Sequence, residues 1–438
     1  MHLLAKKYGD VISLQMGLQN MVVIGGYETV KAVVLRDEFL GRYSPPWLKK
    51  RTFDKDIGIL FGDVPIWKDT RRFAVKNLRE FGFGKKQTME SLIQDEISDF
   101  IRSLEDRVNT SELVQMKGIF DPPLINSVFS MLCGFRFEQN DPELHRLLHL
   151  LHGFFTGVKT AGDILMAYPF LAAITPTYHR QLRLHREMHA YIRKIISDAR
   201  ARKDRITEPR SFVDVFVNTI ESSGQDMTFN DENLIAVIYD FFMAGGETTP
   251  SILEFLILYL ILNPEIQRKL SEEIDSVVGQ DRWPSYEDRN NMPYTEAVLS
   301  EILRVATVLP LAPRTTTEDT TLNGFNIPKK SIILLNLYDV HMDPAFWGDP
   351  EVFRPERFLD EDRNVCNTER LMPFSLGRRS CLGETMARMN LFLFTTKVFQ
   401  QFSVQVDPSL PKPSTEPLVG ITMGAQPFGV IFTKRPRV

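Results

Sequence analysis

The sequence predicts a mainly α fold with small β-sheets, and three observations carry that expectation. Helical periodicity dominates from residue 27 to about 279. Short β signals are confined to the two ends of the chain and to 316–336. The composition, 43% hydrophobic and 25% charged over 438 residues, is that of a packed globular protein and excludes a disordered, collagen-like or coiled-coil chain. With no internal repeat, low-complexity tract or linker, one domain over 1–438 is expected.

The elements follow in order. Residues 11–23 carry short apolar runs separated by Gly17 and Gln19-Asn20 and end at Gly25-Gly26, the pattern of a hairpin. Apolar residues then recur at helical spacing over 28–35, 65–78, 92–108, 121–132, 142–154, 178–202 and 211–222. Thr228 and Asn230 are candidate caps for a helix that stays apolar or helix-favouring to Asn263-Pro264, about 33 residues and on the order of 50 Å at helical rise. A helix of that length crosses a whole molecule. Helices over 265–278 and 294–305 come next, and 316–336, rich in Thr and Ile around Asn323-Gly324, reads as a second hairpin. Residues 339–383 are dense in Pro, Gly, Asp and Arg with no sustained period, and a loop that long inside a packed domain usually has a function. A helix over 384–402 and a β segment around 421–433 close the chain.

Charge and cysteine content narrow the function. Fifty-two Lys plus Arg against 56 Asp plus Glu give a net charge of -4, so the total offers no surplus for binding nucleic acid. Cys133, Cys366 and Cys381 are too few and too scattered for a disulfide framework or a four-ligand zinc site, so cysteine chemistry rests on a single thiol. The start, Met-His-Leu-Leu-Ala-Lys-Lys-Tyr, has neither the apolar core of a signal peptide nor a span. The longest unbroken apolar run, 255–262, is too short to cross a bilayer, and a soluble or peripheral protein is expected.

The most informative segment is Pro-Phe-Ser-Leu-Gly-Arg-Arg-Ser-Cys-Leu-Gly-Glu, residues 373–384, which sets Cys381 in a Gly-rich loop directly before a helix. A helix N-terminus and its free N–H groups favour a thiolate, so a lowered thiol pKa is expected. Gly377 and Gly383 permit tight turning and close approach of a large planar ligand, and Arg379 supplies a fork suited to a carboxylate. A second segment, Ala244-Gly-Gly-Glu247-Thr248-Thr-Pro250, places two glycines, a carboxylate and a hydroxyl within two turns of the long helix. Each Gly costs a helix about 1 kcal/mol against Ala. Apolar periodicity nonetheless resumes after Pro250, so a kinked helix with a local groove is expected.

The spacing Phe374-x-x-Gly377-x-Arg379-x-Cys381-x-Gly383 resembles the haem-binding loop of the cytochrome P-450 superfamily. That resemblance implies haem b (iron protoporphyrin IX), held between a long central helix and the Cys loop, with Cys381 as the axial thiolate whose electron density favours O–O cleavage. The segment at 244–250 is similar to the family's oxygen-binding pattern, which implies that Glu247 and Thr248 form an acid–alcohol pair delivering protons. Glu301-Ile-Leu-Arg304 alone would be an ordinary solvated pair. Together with Phe353-Arg-Pro-Glu-Arg357-Phe358 it resembles the family's buried structural triad of Glu301, Arg304 and Arg357. Trp67-Lys-Asp-Thr-Arg71 resembles the family's Trp-x-x-x-Arg motif, whose indole and guanidinium would donate to a haem propionate. Arg314, after Pro313, matches the position facing the other propionate, so that with Arg379 three arginines would meet two carboxylates.

The resemblance runs from Lys6-Lys-Tyr-Gly-Asp10 to the C-terminal β segment, and Leu78-Arg-Glu-Phe-Gly-Phe-Gly-Lys-Lys86 is similar to the animal microsomal branch. That branch implies electrons from NADPH-cytochrome P-450 reductase, with cytochrome b5 as a second candidate donor, and attachment to the cytosolic face of the endoplasmic reticulum. Its members normally begin with a hydrophobic anchor and a Pro-rich hinge, neither of which this sequence carries. Lys68, Arg71, Arg72, Lys76, Arg79, Lys85, Lys86, Arg378 and Arg388 would give a positive docking surface, less Arg71 and Arg379, which propionates would occupy. Substrate segments implied by the family are 42–60, 152–174, 235–243, 308–312 and 421–428. Their Phe154, Phe155, Phe170, Phe241, Phe242 and Phe428 suit a nonpolar molecule and equally a core.

The implied activity is insertion of one atom of O2 into a lipophilic small molecule, such as a steroid, a terpenoid hormone or a xenobiotic, by hydroxylation or epoxidation. The rivals are a haem-thiolate isomerase or dehydratase acting on a peroxide, against which the intact Glu247-Thr248 pair argues, and a non-catalytic haem sensor. The pairs His145/His149 and His185/His189 have the spacing of a helical metal site but lack a third ligand, and are expected to be surface histidines.

Overall fold

The protein is described here from a computed structural model, which covers residues 2–110, 112–157 and 164–436. Its longest element is the helix Asp231–Leu262, started by Asn230, whose side-chain oxygen accepts the N–H of Asn233. This helix is long and apolar enough to cross a membrane, but 78% of its most apolar stretch lies inside the fold. It is the axis of the core. Against it pack Asp121–Cys133, Pro142–Thr156, Pro176–Ala201, Pro293–Ala306 and Glu384–Gln401, each presenting an apolar face.

The predicted helices stand, with ends moved by a few residues: Tyr27–Leu35, Val64–Leu78, Lys86–Asn109 and Phe212–Ser223 among them. The central helix stays helical through Gly245, Gly246 and Pro250. Its glycines serve packing. A Cβ at Gly245 would lie 2.6 Å from Val128 Cγ2, and one at Gly246 would lie 2.9 Å from Leu151 Cδ1 and 3.1 Å from Ile125 Cδ1. The neighbouring helices therefore approach closer than any side chain would allow.

The β structure is peripheral. Strands Val11–Met16 and Gln19–Ile24 form the expected hairpin, and Gln19–Ile24 then pairs in parallel with Ile332–Asn336, with Met21 opposite Ile332. Leu311–Thr315 completes this four-stranded sheet on the other side of Ile332–Asn336. Thr320–Leu322 and Phe325–Ile327 turn at Asn323-Gly324, both at positive φ (49° and 82°), the requirement of a two-residue hairpin turn. A third sheet has the order Val114–Gln115, Gly429–Lys434, Phe402–Val406; its middle strand lies in the expected C-terminal β segment, and sequence shows no signal for the other two. The helix expected over 384–402 ends at Gln401, and Phe402 is the first residue of a strand of alternating burial.

The irregular stretch after 339 is fastened by the predicted triad. Glu301 Oε2 and Oε1 each accept from Arg304, at 2.8 Å. Oε1 also takes Arg357 Nε at 3.0 Å and the backbone N–H of Arg354 at 2.8 Å. Other guanidinium N–H groups go to main-chain carbonyls, Arg304 to His341 at 2.8 Å and Arg357 to Trp347 at 2.6 Å and Val352 at 2.9 Å, and Arg357 also pairs with the Asp349 carboxylate at 3.1 Å. All three side chains are buried. His341 passes the connection on, its Nε2 accepting the N–H of Met372 at the entrance to the Cys loop.

Candidate active site

The Cys loop is held from three directions. Its own backbone closes where the Cys381 N–H donates to Phe374 O at 2.8 Å. Gly377 has φ +73°, and a Cβ there would sit 2.3 Å from Val34 O, so the loop needs glycine to pass the end of Tyr27–Leu35. Gly383 has neither constraint: its would-be Cβ meets only Cys381 Sγ, at 3.9 Å. Arg71, from Val64–Leu78, donates to Ser380 O at 2.9 Å.

Cys381 stands just before the helix Glu384–Gln401. Its side chain has accessible surface yet is closely surrounded by protein, the position of a group on the wall of a concavity. The expected lowering of its thiol is overturned. Burial outweighs the N–H groups of Gly383 and Glu384 and the charge of Arg71, and the free thiol is raised. Cys133 and Cys366 are also free, and burial raises both.

Among the described residues Arg42, Arg71, Arg314 and Arg379 make no ion pair, although Asp63 and Asp240 lie near enough to Arg379 to act on its charge. Arg379 lies with its guanidinium carbon 3.7 Å from the centroid of the Trp67 ring. Three of its N–H groups donate to Leu40 O (3.0 Å), Ile59 O (3.3 Å) and Gly62 O (2.7 Å). The fork expected to receive a carboxylate is thus largely committed to the backbone of 40–62. That backbone is held on its other side too: Asp240 Oδ2 accepts the N–H groups of Ile59 (2.6 Å) and Leu60 (2.9 Å), and Asn233 Oδ1 accepts that of Gly58 (2.8 Å). Arg51, fully buried, pairs with Asp240.

Arg314 is buried with Nε and Nη1 unpartnered, and Trp67 Nε1 and Arg42 Nε are likewise buried without a hydrogen bond. Burial, then Arg42, Arg379 and Arg71, push Arg314 down to about 7. Burial and the neighbouring Arg42 and Arg71 push Arg379 down to about 8. Arg42, donating to Pro313 O at 3.1 Å, is pushed down to about 10 by burial and Arg71. Sequence reasoning placed Arg42 only in a substrate segment; its side chain belongs with the other three.

On the central helix, burial lapses at Phe241, Ala244, Gly245 and Thr248, which share one face by their spacing. Thr248 Oγ1 donates to Ala244 O at 2.8 Å. Glu247 points elsewhere. Its Oε2 lies 3.2 Å from His152 Nδ1 in an ion pair outside hydrogen-bond geometry, so that oxygen accepts no hydrogen bond. No hydrogen bond joins Glu247 to Thr248, so the predicted pair adjoin along the chain but face different partners. His185 and His189 are buried rather than on the surface, bonded to Tyr239 Oη and Arg51 O, while His145 and His149 are exposed. Among the described residues no cluster of three or more His, Cys, Asp or Glu side chains could hold a metal ion.

A cytochrome P450 family model matches residues 1–432. The chain is 36% identical to farnesoate epoxidase of Bombyx mori over 98% of its own length and 87% of that protein's. It is 35% identical to cytochrome P450 2D9 of Mus musculus over 97% and 85% of the two chains. With cytochrome P450 2J3 of Rattus norvegicus it shares 37% identity over 91% and 79%.

The chain belongs to the cytochrome P450 family. As a cytochrome P450 it is a monooxygenase that binds haem b through a cysteine, works with a redox partner and acts on small molecules. The side chains fit that cofactor. Buried Arg314 and Arg379, half-buried Arg42 and Arg71 and the Trp67 indole, with unpartnered donors on Arg42, Arg314 and Trp67, form the environment a pair of carboxylates would neutralise. The raised thiol is no obstacle in a P450, since coordination to a metal removes a thiol's proton outright.

Proposed function

We propose that Cys381 is the axial haem ligand of this P450 and that it oxygenates a lipophilic small molecule from the side of Ala244 and Thr248. The observation that carries this reading is the accessible thiol at a helix N-terminus, beside buried arginines without an acidic partner. Trp67, Arg71, Arg314 and Arg42 would hold the propionates; Phe374, Gly377 and Gly383 shape the loop; Arg379 braces the loop and adds its charge. Haem, when bound, supplies the activation of dioxygen. Thr248 and Glu247 would move protons towards the site where oxygen is reduced, Thr248 by exchanging its bond to Ala244 O for one to the reacting group.

Supporting a lipophilic substrate are Phe241 on the accessible stripe and the lipophilic class of the Bombyx mori relative's named substrate. Residues 158–163 of the 152–174 segment lie outside the described residues. Exposed Lys68, Lys76, Arg79, Lys85 and Lys86 support docking of NADPH-cytochrome P-450 reductase, or cytochrome b5, on the thiolate side. Arg378 and Arg388 contribute less, being paired with Asp37 and Glu384. Leu18, Phe170 and Ile174 are 63, 69 and 77% exposed, and the Leu18 N–H donates to Ala167 O, so hairpin tip and the Pro169–Ile174 turn form one apolar patch. That patch supports peripheral contact with the endoplasmic reticulum membrane.

The test is NADPH-dependent oxygen consumption with added reductase, with product measured per NADPH. Thr248→Ala should keep full haem content and lower product per NADPH about tenfold, the electrons appearing as peroxide. Unchanged coupling would remove Thr248 from the mechanism. Arg314→Leu gives opposite effects on the two forms. Haem affinity should fall roughly 30-fold, about 2 kcal/mol for a lost charge-assisted hydrogen bond. The haem-free protein should melt at a higher temperature, having lost an uncompensated buried cation. A haem titration and two melting curves check both.

A further inference from the structure

Glu247 does not stand alone behind Thr248. His152, near the end of Pro142–Thr156, lies between two carboxylates: Nδ1 is 3.2 Å from Glu247 Oε2, and Nε2 makes a 2.7 Å hydrogen bond with Asp121 Oδ2 at the start of Asp121–Cys133. Glu247 and Asp121 are buried, while the His152 side chain keeps 30% of its surface. The small side of Gly246 makes the arrangement possible, because it lets Leu151, the neighbour of His152, and Ile125 close on the central helix. The other charged groups at this junction are Lys117 and Glu254, paired at 3.1 Å, with Glu254 also accepting the Gly118 N–H at 2.7 Å. The hydrogen bond to Asp121 and then the adjoining Glu247 carboxylate hold the imidazole up at about 10. Lys117, with burial working against it, is raised by Glu254, Glu247 and Asp121.

We infer that His152 is the positioning residue for Glu247 and its proton source, with Asp121 fixing the ring between solvent and the central helix. The inference rests on the acid–alcohol reading of Glu247 and Thr248. Each cycle is balanced: Nδ1 of the His152 imidazolium gives its proton to the Glu247 carboxylate as the side chains turn into line, Glu247 passes that proton towards Thr248 and returns to carboxylate, and the neutral ring is reprotonated at Nδ1 by hydronium from solvent at its exposed edge. Asp121 keeps Nε2 bound throughout and does not exchange.

Two measurements test it. In protein labelled with 15N-histidine, the His152 ring should stay an imidazolium above pH 8, and should move towards the ordinary value of about 6.5 in Asp121→Asn and in Glu247→Gln. In the holoenzyme, His152→Gln should keep haem content and the carbonyl spectrum but lower product per NADPH about tenfold. The double variant His152→Gln/Glu247→Gln should be no worse than the poorer single one, as expected of residues acting in series. His149→Gln, on the exposed face of the same helix, should change nothing. A wild-type His152 that titrates near 6.5, or a His152→Gln enzyme that stays coupled while Glu247→Gln does not, would overturn the inference alone. Coupled turnover in Glu247→Gln would overturn the acid–alcohol reading beneath it.

Discussion

Replacing Cys381 with Ser is expected to abolish the strongly red-shifted Soret band of the ferrous carbonyl complex and, with it, monooxygenase turnover. The band reports a thiolate trans to carbon monoxide, and of the three thiols only Cys381 is accessible at the arginine-rich site. The replacement should not disturb the fold. The loop is shaped by the Cys381 N–H to Phe374 O, by Gly377 against Val34 and by Arg71 and Arg379 on carbonyl oxygens, none of which involves sulfur. Haem should therefore still bind through the arginines, with an unshifted carbonyl band. Cys133→Ser and Cys366→Ser serve as controls and should keep the wild-type spectrum. A red-shifted band surviving in Cys381→Ser would refute the assignment of the ligand.

The second large effect is on stability. Glu301→Gln removes the counter-charge shared by buried Arg304 and Arg357, leaving Arg357 only the half-exposed Asp349, and sets an amide NH2 against a guanidinium where one carboxylate oxygen had accepted. Breaking one partner of a buried ion network costs about 3–5 kcal/mol, a large share of the roughly 5–15 kcal/mol that holds a typical fold. The loss should reach the cofactor site, because the triad carries 341–358 and His341 passes that position to Met372. Denaturant titration should show the destabilisation, and purified protein should carry little haem. A variant within about 1 kcal/mol of wild type would show the triad to be dispensable.

Much of this was legible in the residues. Periodicity gave the helices because each buries one apolar face, and Asn323-Gly324 gave its hairpin because both positions need positive φ. The Cys loop and the triad were readable from spacing within short segments. What was not readable depends on partners far apart in the chain. His152 looks like any helix histidine until Asp121 and Glu247 are brought to it, and Arg42 acquires a role only beside Arg314. Arg379 was assigned a carboxylate; its partners proved to be carbonyls of 40–62, which carry no side-chain signature. The packing role of Gly245 and Gly246 is not legible, because sequence shows the cost of glycine in a helix but not the helices packed on it. The Cys381 thiol was misjudged for the same reason: the helix terminus is visible in sequence and burial is not.

The strap at 58–62 has no regular secondary structure, yet Arg379 grips its carbonyls while Asn233 and Asp240 grip its amides. Loops of this kind ordinarily sit at the low end of local opening free energies, and this one is tied at both faces to the most deeply packed parts of the molecule. Its release requires breaking the Arg379 bonds on one face and the Asn233 and Asp240 bonds on the other, so its opening is expected to cost more than that of a surface turn. A ligand is therefore expected to reach the site past walls that are less firmly tied than this strap.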